Sequence, residues 1–580
     1  MRYVALATDF DGTLAHDGCV EPSTVAALKG LVASGRKLLL VTGRELEDLR
    51  RVFHALEIFD WLVVENGAVL HCPASDETRV LSPAPPAAFV AELERRGVTP
   101  LSVGASIVAT WHPNEQIVLE VIRDLGLELH VVFNKGAVMV LPARTNKASG
   151  VEVALRELGL SAHNLVAIGD AENDHALLEM AECSAAVANA VPMLKAKADL
   201  VTRGDHGAGV EELIAHLIES DLRDVAGQRS ERLLELGHRE DGSSVCLPAA
   251  GFNLLISGTS GSGKSTLATA LLEQLMDRDY QCCVVDPEGD YDELGETIRF
   301  GGPKHAPDLA AILSGLEQPN THVVVNLLGV KLNERPDFFA ALLLRLQEHR
   351  ARFGRPHWIL VDEAHHLLPA DWQPASQVVT EAITSMIFVT VHPESVARAV
   401  LERLDVVAVV GDAPEQRIAQ VAAQSMASMG PLNPVELEAG EALVWLKGSR
   451  EPPFKLRASV STGERRRHQR KYAEGQLGED RSFYFRGPDG RLNLRAQNLV
   501  LFLQMADGVD DSTWHHHLAQ GDYSRWMRDS IKDADLAGEV QAVEGNAARL
   551  AARESREQVR RAIESRYTLS AEQVAQARRP

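Results

Sequence analysis

The stretch "ATDFDGTLA", Ala7–Ala15, closes an apolar run that starts at Tyr3 and ends in two acids, Asp9 and Asp11, beside Gly12. A buried strand that stops in paired carboxylates suits an open α/β sheet, whose ligands sit at the carboxyl ends of its strands. Two such carboxylates can divide the work of phosphoryl transfer. One attacks phosphorus and the other carries the proton of the leaving oxygen. Attack on a phosphate dianion needs positive charge close by. "KLLLVTGR" offers the Thr42 hydroxyl and the Gly43 backbone past a second strand, and "TNKASG" offers Lys147 as a fixed cation. "NLVAIGDAENDH" sets Asp170 and Asp174 past a further strand, oxygen ligands suited to Mg²⁺.

The α/β rhythm of this region is interrupted after about Leu70 by a Pro/Ala-rich segment with its own helices and strands, such as "SIVATWH" and "AVMVLP". It returns near Thr145. The expected form is a sheet with a small α+β insertion over about 71–143, all within 1–218. A polar linker, "ESDLRDVAGQRSER", leads to a second α/β region over 230–458 with candidate strands "NLLISG", "QCCVVD", "HVVVNLL", "HWILVDE", "MIFVTV" and "VVAVVGD". The last region, 465–580, is charged, contains Trp and His, and reads as mainly helical. No repeat of fixed period is present.

The second region carries its own phosphate motif. "GTSGSGKST", Gly258–Thr266, stands between the strand "NLLIS" and the helix "TLATALLEQL". Gly258, Gly261 and Gly263 let backbone N–H groups curl around phosphates. Lys264 is placed to reach the β/γ oxygens and Ser265, followed by Thr266, to ligate Mg²⁺. Farther on, "HWILVDEAHH" ends an apolar strand in Asp362, expected to act through the Mg²⁺ shell, and Glu363, placed to polarise a water. Both motifs together point to an ATP site.

The four N-terminal motifs, in this order and each at a strand end, resemble the haloacid dehalogenase superfamily. The insertion, "ENGA" at Glu65–Ala68 and "GDAENDH" are similar to its type IIB, Cof-like branch. The resemblance spans about the first 215 residues and implies a Rossmann-like fold with a cap. It implies Asp9 as a nucleophile that forms an aspartyl-phosphate, and Asp11 as general acid and then base. Thr42 and Lys147 would hold the phosphoryl group. The metal site would draw on Asp9, Asp11, Asp170 and Asp174, with Asn173 orienting nearby. "VVDPEGDYDEL", with Asp286, Glu288 and Tyr291, "LGHREDGSSVCLP" and "DEAH" resemble the HerA/FtsK group of ring-forming P-loop ATPases of the ASCE/RecA-like type. That resemblance implies a homo-oligomer, a hexamer in most members, which moves DNA and borrows an arginine from a neighbour. Arg398 and Arg403 are candidates for that arginine, although ordinary helix-surface roles suit them better. The sequence departs from the group after "MIFVT", where a polar sensor, often Gln, is expected. Here Val391 and His392 stand, and Val391 cannot bond a phosphate.

The bulk numbers frame these motifs. A chain of 580 residues implies several domains. A net charge of −22 argues against a whole-surface grip on nucleic acid. Six scattered cysteines, none in a CxxC pair, suit a reducing compartment, and no export signal or membrane span is read, so the expected location is cytoplasmic. "RRRHQRKY", Arg465–Tyr472, reads first as a solvated linker. His515, His516 and His517 point in different directions on a helix and read as packing or capping residues. Three functions stay open. The first is a phosphatase for a small phosphorylated metabolite, organised or regulated by an ATP-binding domain. The second is a nucleic-acid motor with an accessory phosphatase, and nucleic acid is the less favoured partner. The third is an ATP-sensing scaffold.

Overall fold

In the computed structural model, Lys37–Val41 and Leu165–Gly169 flank Ala5–Asp9 as parallel neighbours. Asp9 lies opposite Val41, and Thr8 opposite Ile168, so the residues following these strands emerge together at one edge. All three strands are buried on both faces, which is why they read as unbroken apolar runs rather than alternating ones. The structure describes residues 1–567 apart from 135, 144, 224, 226–231, 292–293, 372–382, 428, 431, 450, 460–481, 489–491, 493, 532–533 and 548. Among these, the first sheet has eight strands. Cys183–Ala186 and Leu200–Val201 extend it in parallel on one side and Trp61–Val64 on the other, and antiparallel Val69–Cys72 and Glu77–Val80 close the edge.

The insertion expected over about 71–143 starts later, because Glu77–Val80 still belongs to the edge of the first sheet; its own sheet, the cap, is four-stranded and antiparallel, of Ser102–Val103, Val108–Trp111, Ala137–Pro142 and Leu129–Asn134. One face of it packs Val108, Val138 and Val140 against Phe89 and Leu93 of Ala87–Arg95 and Val118 and Val121 of Glu115–Asp124. The other face sends Ile107, Met139 and Leu141 into the core of the first sheet.

The second large sheet contains all six strands expected from the sequence, as parallel neighbours. Asn253–Gly258 lies between Val406–Val410 and Met386–Thr390. The latter separates it from Trp358–Val361, the strand that ends at Asp362. Thr297–Phe300 adds a parallel edge, and Glu441–Leu446, Phe454–Ala458, Leu233–His238 and Ser244–Pro248 add an antiparallel one. Thr297–Phe300, Ser244–Pro248 and Phe454–Ala458 escaped the sequence reading because they are partly exposed and carry a weak apolar signal, whereas Glu441–Leu446 is buried at its centre and its short apolar run does not by itself separate strand from helix.

The chain divides into two compact units, Met1–Ser459 and Val460–Pro580. Within the first, a seam joins the two large sheets. The buried carboxylate of Glu182 accepts from Arg2 at 2.6 Å and lies 2.8 Å from His163 Nδ1. The other ring nitrogen of His163 meets the Arg278 carbonyl at 2.7 Å, just past the helix Lys264–Met276. The His163 ring also stacks on Tyr280, with centroids 3.8 Å apart. In the second unit, helices from Leu499–Gly508 to Ala552–Tyr567 surround an aromatic core of Phe483, Phe502, Trp514 and Tyr523, together with an unforeseen hairpin of Phe483–Phe485 and Leu494–Ala496. His517 is buried, pairs with Asp522 at 2.8 Å and accepts the Arg486 N–H, in keeping with a packing role. The basic run Arg465–Tyr472 lies outside the described residues. No described helix is long and apolar enough to cross a membrane.

Candidate active sites

Four chain segments meet at the carboxyl edge of the first sheet. Asp9 ends its strand and Asp170 follows another. Asp174 sits on the short turn Glu172–Asp174, and its Oδ2 accepts the backbone N–H groups of Asp170 and Ala171, both at 3.0 Å. A Cβ at Gly169 would lie 2.6 Å from Asp174 Cβ, so only glycine leaves that carboxylate its place. Lys147 begins the helix Lys147–Glu157, which Asn146 caps through Ser149. The buried Lys147 ammonium donates to Asp9 Oδ1 and to Asp174 Oδ1, each at 2.6 Å. Thr42 is buried one residue beyond its strand, where its hydroxyl accepts the Arg44 N–H at 3.1 Å.

One oxygen each from Asp9, Asp170 and Asp174 lies within 4.8 Å of the others. Three carboxylates and the Lys147 ammonium leave two negative charges in a buried space. Burial, and then the neighbouring Asp174, push the Asp9 carboxyl well above its usual range, against the opposing charge of Lys147. A hard divalent cation with oxygen ligands fits both the donor set and the charge. Asp11, also expected as a ligand, stands outside this triad. Arg44 forks it instead, Nε to Oδ2 at 2.7 Å and Nη2 to Oδ1 at 2.6 Å, and holds Asp48 with its remaining nitrogen at 2.6 Å. Asn173 donates to Asn66 at 3.3 Å, while its own Oδ1 is buried without a hydrogen bond.

Arg44 was missed as a site residue, although it completes "VTGR". Its position straight after Thr42 and Gly43, the residues expected to meet phosphate, is the available signal. Glu65 and Asn66 were seen only as part of "ENGA". Both take left-handed backbone, at φ 51° and 52°, a conformation that is strained for residues other than glycine.

The second site is built at the end of Asn253–Gly258. Gly261 and Gly263 have φ of 76° and 99° with open space where a Cβ would stand, so glycine serves the loop's conformation rather than its packing. Lys264, Ser265 and Thr266 open the following helix, and Lys264 Nζ folds back onto the Thr259 carbonyl at 3.0 Å. Burial lowers the Lys264 ammonium, opposed by Glu363 and Asp362. Asp362 is buried and pushed well upward by burial and by Glu363, and Glu363 is raised by burial and by Glu288. The structure thus gathers Lys264, Asp362 and Glu363 into one electrostatic cluster. Asp286, which acts on Asp362, also accepts the N–H groups of residues 288 to 291 at 2.7–3.2 Å and clamps its own turn.

At the expected sensor position, His392 turns to Glu394 at 3.0 Å and is more than half exposed. Thr390 bonds His365 Nδ1 at 3.0 Å, and Glu363 Oε2 lies 3.2 Å from the same nitrogen without a hydrogen bond. Arg417, on the helix Pro414–Gln424, donates to the Val391 carbonyl at 2.9 Å and is among the charges acting on Lys264. The sequence reading did not name it; Arg398, weighed there with Arg403 as an arginine lent to a neighbour, pairs with Glu402 on its own helix at 2.7 Å, in keeping with the surface role preferred for it.

A capped α/β sheet with a lysine-bridged triad of aspartates defines a hydrolase class, here joined to a P-loop domain. The chain belongs to the haloacid dehalogenase-like hydrolases, whose family model matches residues 6–93 and 113–214. It is 33% identical over 219 residues to a phosphoglycolate phosphatase of Methanothermobacter thermautotrophicus, which covers 36% of this chain and 96% of that protein. It is 28% identical over 229 residues to phosphoglycolate phosphatase 2 of Saccharolobus solfataricus, covering 38% and 94%. A solved haloacid dehalogenase-like hydrolase from Bacteroides thetaiotaomicron superposes with a TM-score of 0.33 at 18% identity, over 37% of this chain and 99% of that one. Residues 234–340 match the model for the central domain of the helicase HerA.

Proposed function

We propose that the chain is a Mg²⁺-dependent phosphomonoesterase acting on a small phosphorylated acid or sugar, with 2-phosphoglycolate as the first substrate to test. The observation that carries this reading is the buried Lys147 ammonium spanning Asp9 and Asp174 at 2.6 Å each. The relatives named above support the substrate class. Asp9, Asp170 and Asp174 would hold Mg²⁺, which neutralises phosphoryl charge when bound. Asp9 Oδ attacks phosphorus, and the bond from phosphorus to the leaving oxygen breaks. Asp11 gives that oxygen a proton and later takes one from the water that hydrolyses the aspartyl-phosphate. Thr42 and Lys147 hold the phosphoryl oxygens, and Arg44 keeps Asp11 in position.

The division into 1–218, 230–458 and 465–580 is part of this proposal. The middle region would bind ATP through Gly258–Thr266, with Lys264 on the phosphates, Ser265 and Asp362 serving a second Mg²⁺, and Glu363 polarising water. It would regulate or organise the phosphatase, as a homo-oligomer in the cytoplasm. Val391 at the sensor position, with His392 held by Glu394, favours a slow ATPase and keeps the ATP-sensing scaffold as second reading.

The deciding experiment is phosphate release with Mg²⁺ from a panel of sugar phosphates, 2-phosphoglycolate, nucleotides and phosphorylated DNA ends. Wild type is compared with Asp9→Asn, with and without ATP. Activity on a small metabolite that vanishes in Asp9→Asn supports the phosphatase, and an ATP effect supports regulation. Activity confined to nucleic-acid ends, or surviving the substitution, moves the chain to the motor reading.

A further inference from the structure

The turn Glu65–Gly67 touches three parts of the phosphatase at once. The buried Glu65 carboxylate reaches into the cap and accepts three consecutive backbone N–H groups. Oε1 takes that of Ala105 at 2.9 Å, and Oε2 takes those of Ser106 and Ile107 at 2.8 and 3.1 Å. Asn66 donates to Met139 Sδ, on the face of the cap sheet that meets the core, at 2.9 Å. Gly67 lies so close to Asn146, the residue that caps the Lys147 helix, that a Cβ would stand 1.9 Å from the Asn146 carbonyl. Gly104 completes the fit from the cap side, where a Cβ would fall 2.9 Å from the Glu65 carboxylate.

A carboxylate that gathers three N–H groups in a buried place is a strong, directional tie. Its cost if unmade is also high, because both partners would be left dry and unpaired. We propose that Glu65 is a positioning residue that latches the cap over Asp9 before any substrate arrives. The latch fixes the cap sheet against Asn66, which bonds Met139 and accepts from Asn173 beside the aspartate triad, and so sets the room left for the leaving group: the site accepts a small one and rejects a bulky one. The kinetic part rests on the phosphatase reading, whereas the latch itself does not.

Two variants test it from opposite sides. Glu65→Gln replaces one acceptor oxygen with a donor, and Gly104→Ala presses a methyl onto an intact carboxylate. Amide hydrogen exchange of the 104–107 segment is measured on the full chain without substrate, and kcat/KM is measured for 2-phosphoglycolate and for p-nitrophenyl phosphate. Both variants are expected to speed exchange at Ala105–Ile107 at least about tenfold. Both should shift the selectivity ratio toward the aryl phosphate by about tenfold, mainly through KM for the small substrate. Unchanged exchange in the folded variants overturns the latch, and so does faster exchange with an unchanged selectivity ratio. If Glu65→Gln does not fold, Gly104→Ala decides. If wild type hydrolyses neither ester, the ratio is measured on a small ester that the phosphate-release panel identifies; if it hydrolyses nothing in the panel, the phosphatase reading fails, and the exchange result alone then decides the latch.

Discussion

Tyr280 donates its hydroxyl to the Glu182 carboxylate, 3.0 Å from one oxygen and 3.1 Å from the other, across the seam between the two large sheets. Burial alone would push the Glu182 carboxyl up. The His163 bond and charge, with Arg2 and Arg232, outweigh it and hold it at about 2. The unfolded chain has a carboxyl near 4.3, so this depressed group adds stability that is fully present above about pH 5 and is lost as pH falls from there toward 2. Urea denaturation at stepped pH should show that loss in wild type and a flatter profile in Glu182→Gln. At neutral pH we expect Tyr280→Phe to cost about 1 kcal/mol and Glu182→Gln, which strands Arg2, about 3 kcal/mol.

The aspartate triad predicts a metal-dependent melting point. A cation that binds only the folded chain stabilises it by about 2.7 kcal/mol at a hundredfold excess over its dissociation constant. Thermal melts with increasing Mg²⁺ should therefore rise for wild type and stay nearly level for Asp9→Asn and Asp174→Asn. An equal rise in all three would remove the cation from this site.

Arg44 forks Asp11, and Lys cannot reproduce that planar grip. Arg44→Lys should lower kcat for phosphate release by about tenfold to a hundredfold with little change in stability. A kcat at the wild-type level would show that Asp11 needs no such support.

Arg417 and His392 make opposite forecasts for the P-loop domain. Arg417 sits against Val391, whereas His392 faces Glu394. Arg417→Ala should cut ATP turnover by about tenfold or more while nucleotide binding persists, as removal of a charge-stabilising group does. His392→Ala should change turnover less than about twofold. Paired binding and turnover assays separate the two, and the reverse ranking would give the sensor role to His392.

Much of this was legible before the structure, because strand-end acids and a glycine loop before a helix are local patterns. Asp9, Lys147 and Asp170 declare themselves through the runs that precede or follow them. Arg44 did not, since an arginine after a turn looks like any surface arginine until Asp11 is found opposite it. The Glu182 seam was invisible for a different reason. Its partners Arg2, His163 and Tyr280 lie 180, 19 and 98 residues away, and no periodicity links them. The latch at Glu65 is likewise a contact between two separate pieces of fold. Its one local trace in the sequence is the motif "ENGA", Glu65–Ala68.

The seam also has a consequence for how the chain is made. The phosphatase sheet is complete in sequence by Val201, yet Glu182 gains Tyr280 only some hundred residues later, and Asn164 meets the Gly354 carbonyl later still. Domains fold in order as they leave the ribosome. The N-terminal sheet would emerge with part of its charged surface waiting for a partner still being translated. Synthesis that stalls before Tyr280 would thus leave a folded enzyme core with an unsealed flank, one that the nascent chain itself is meant to cover.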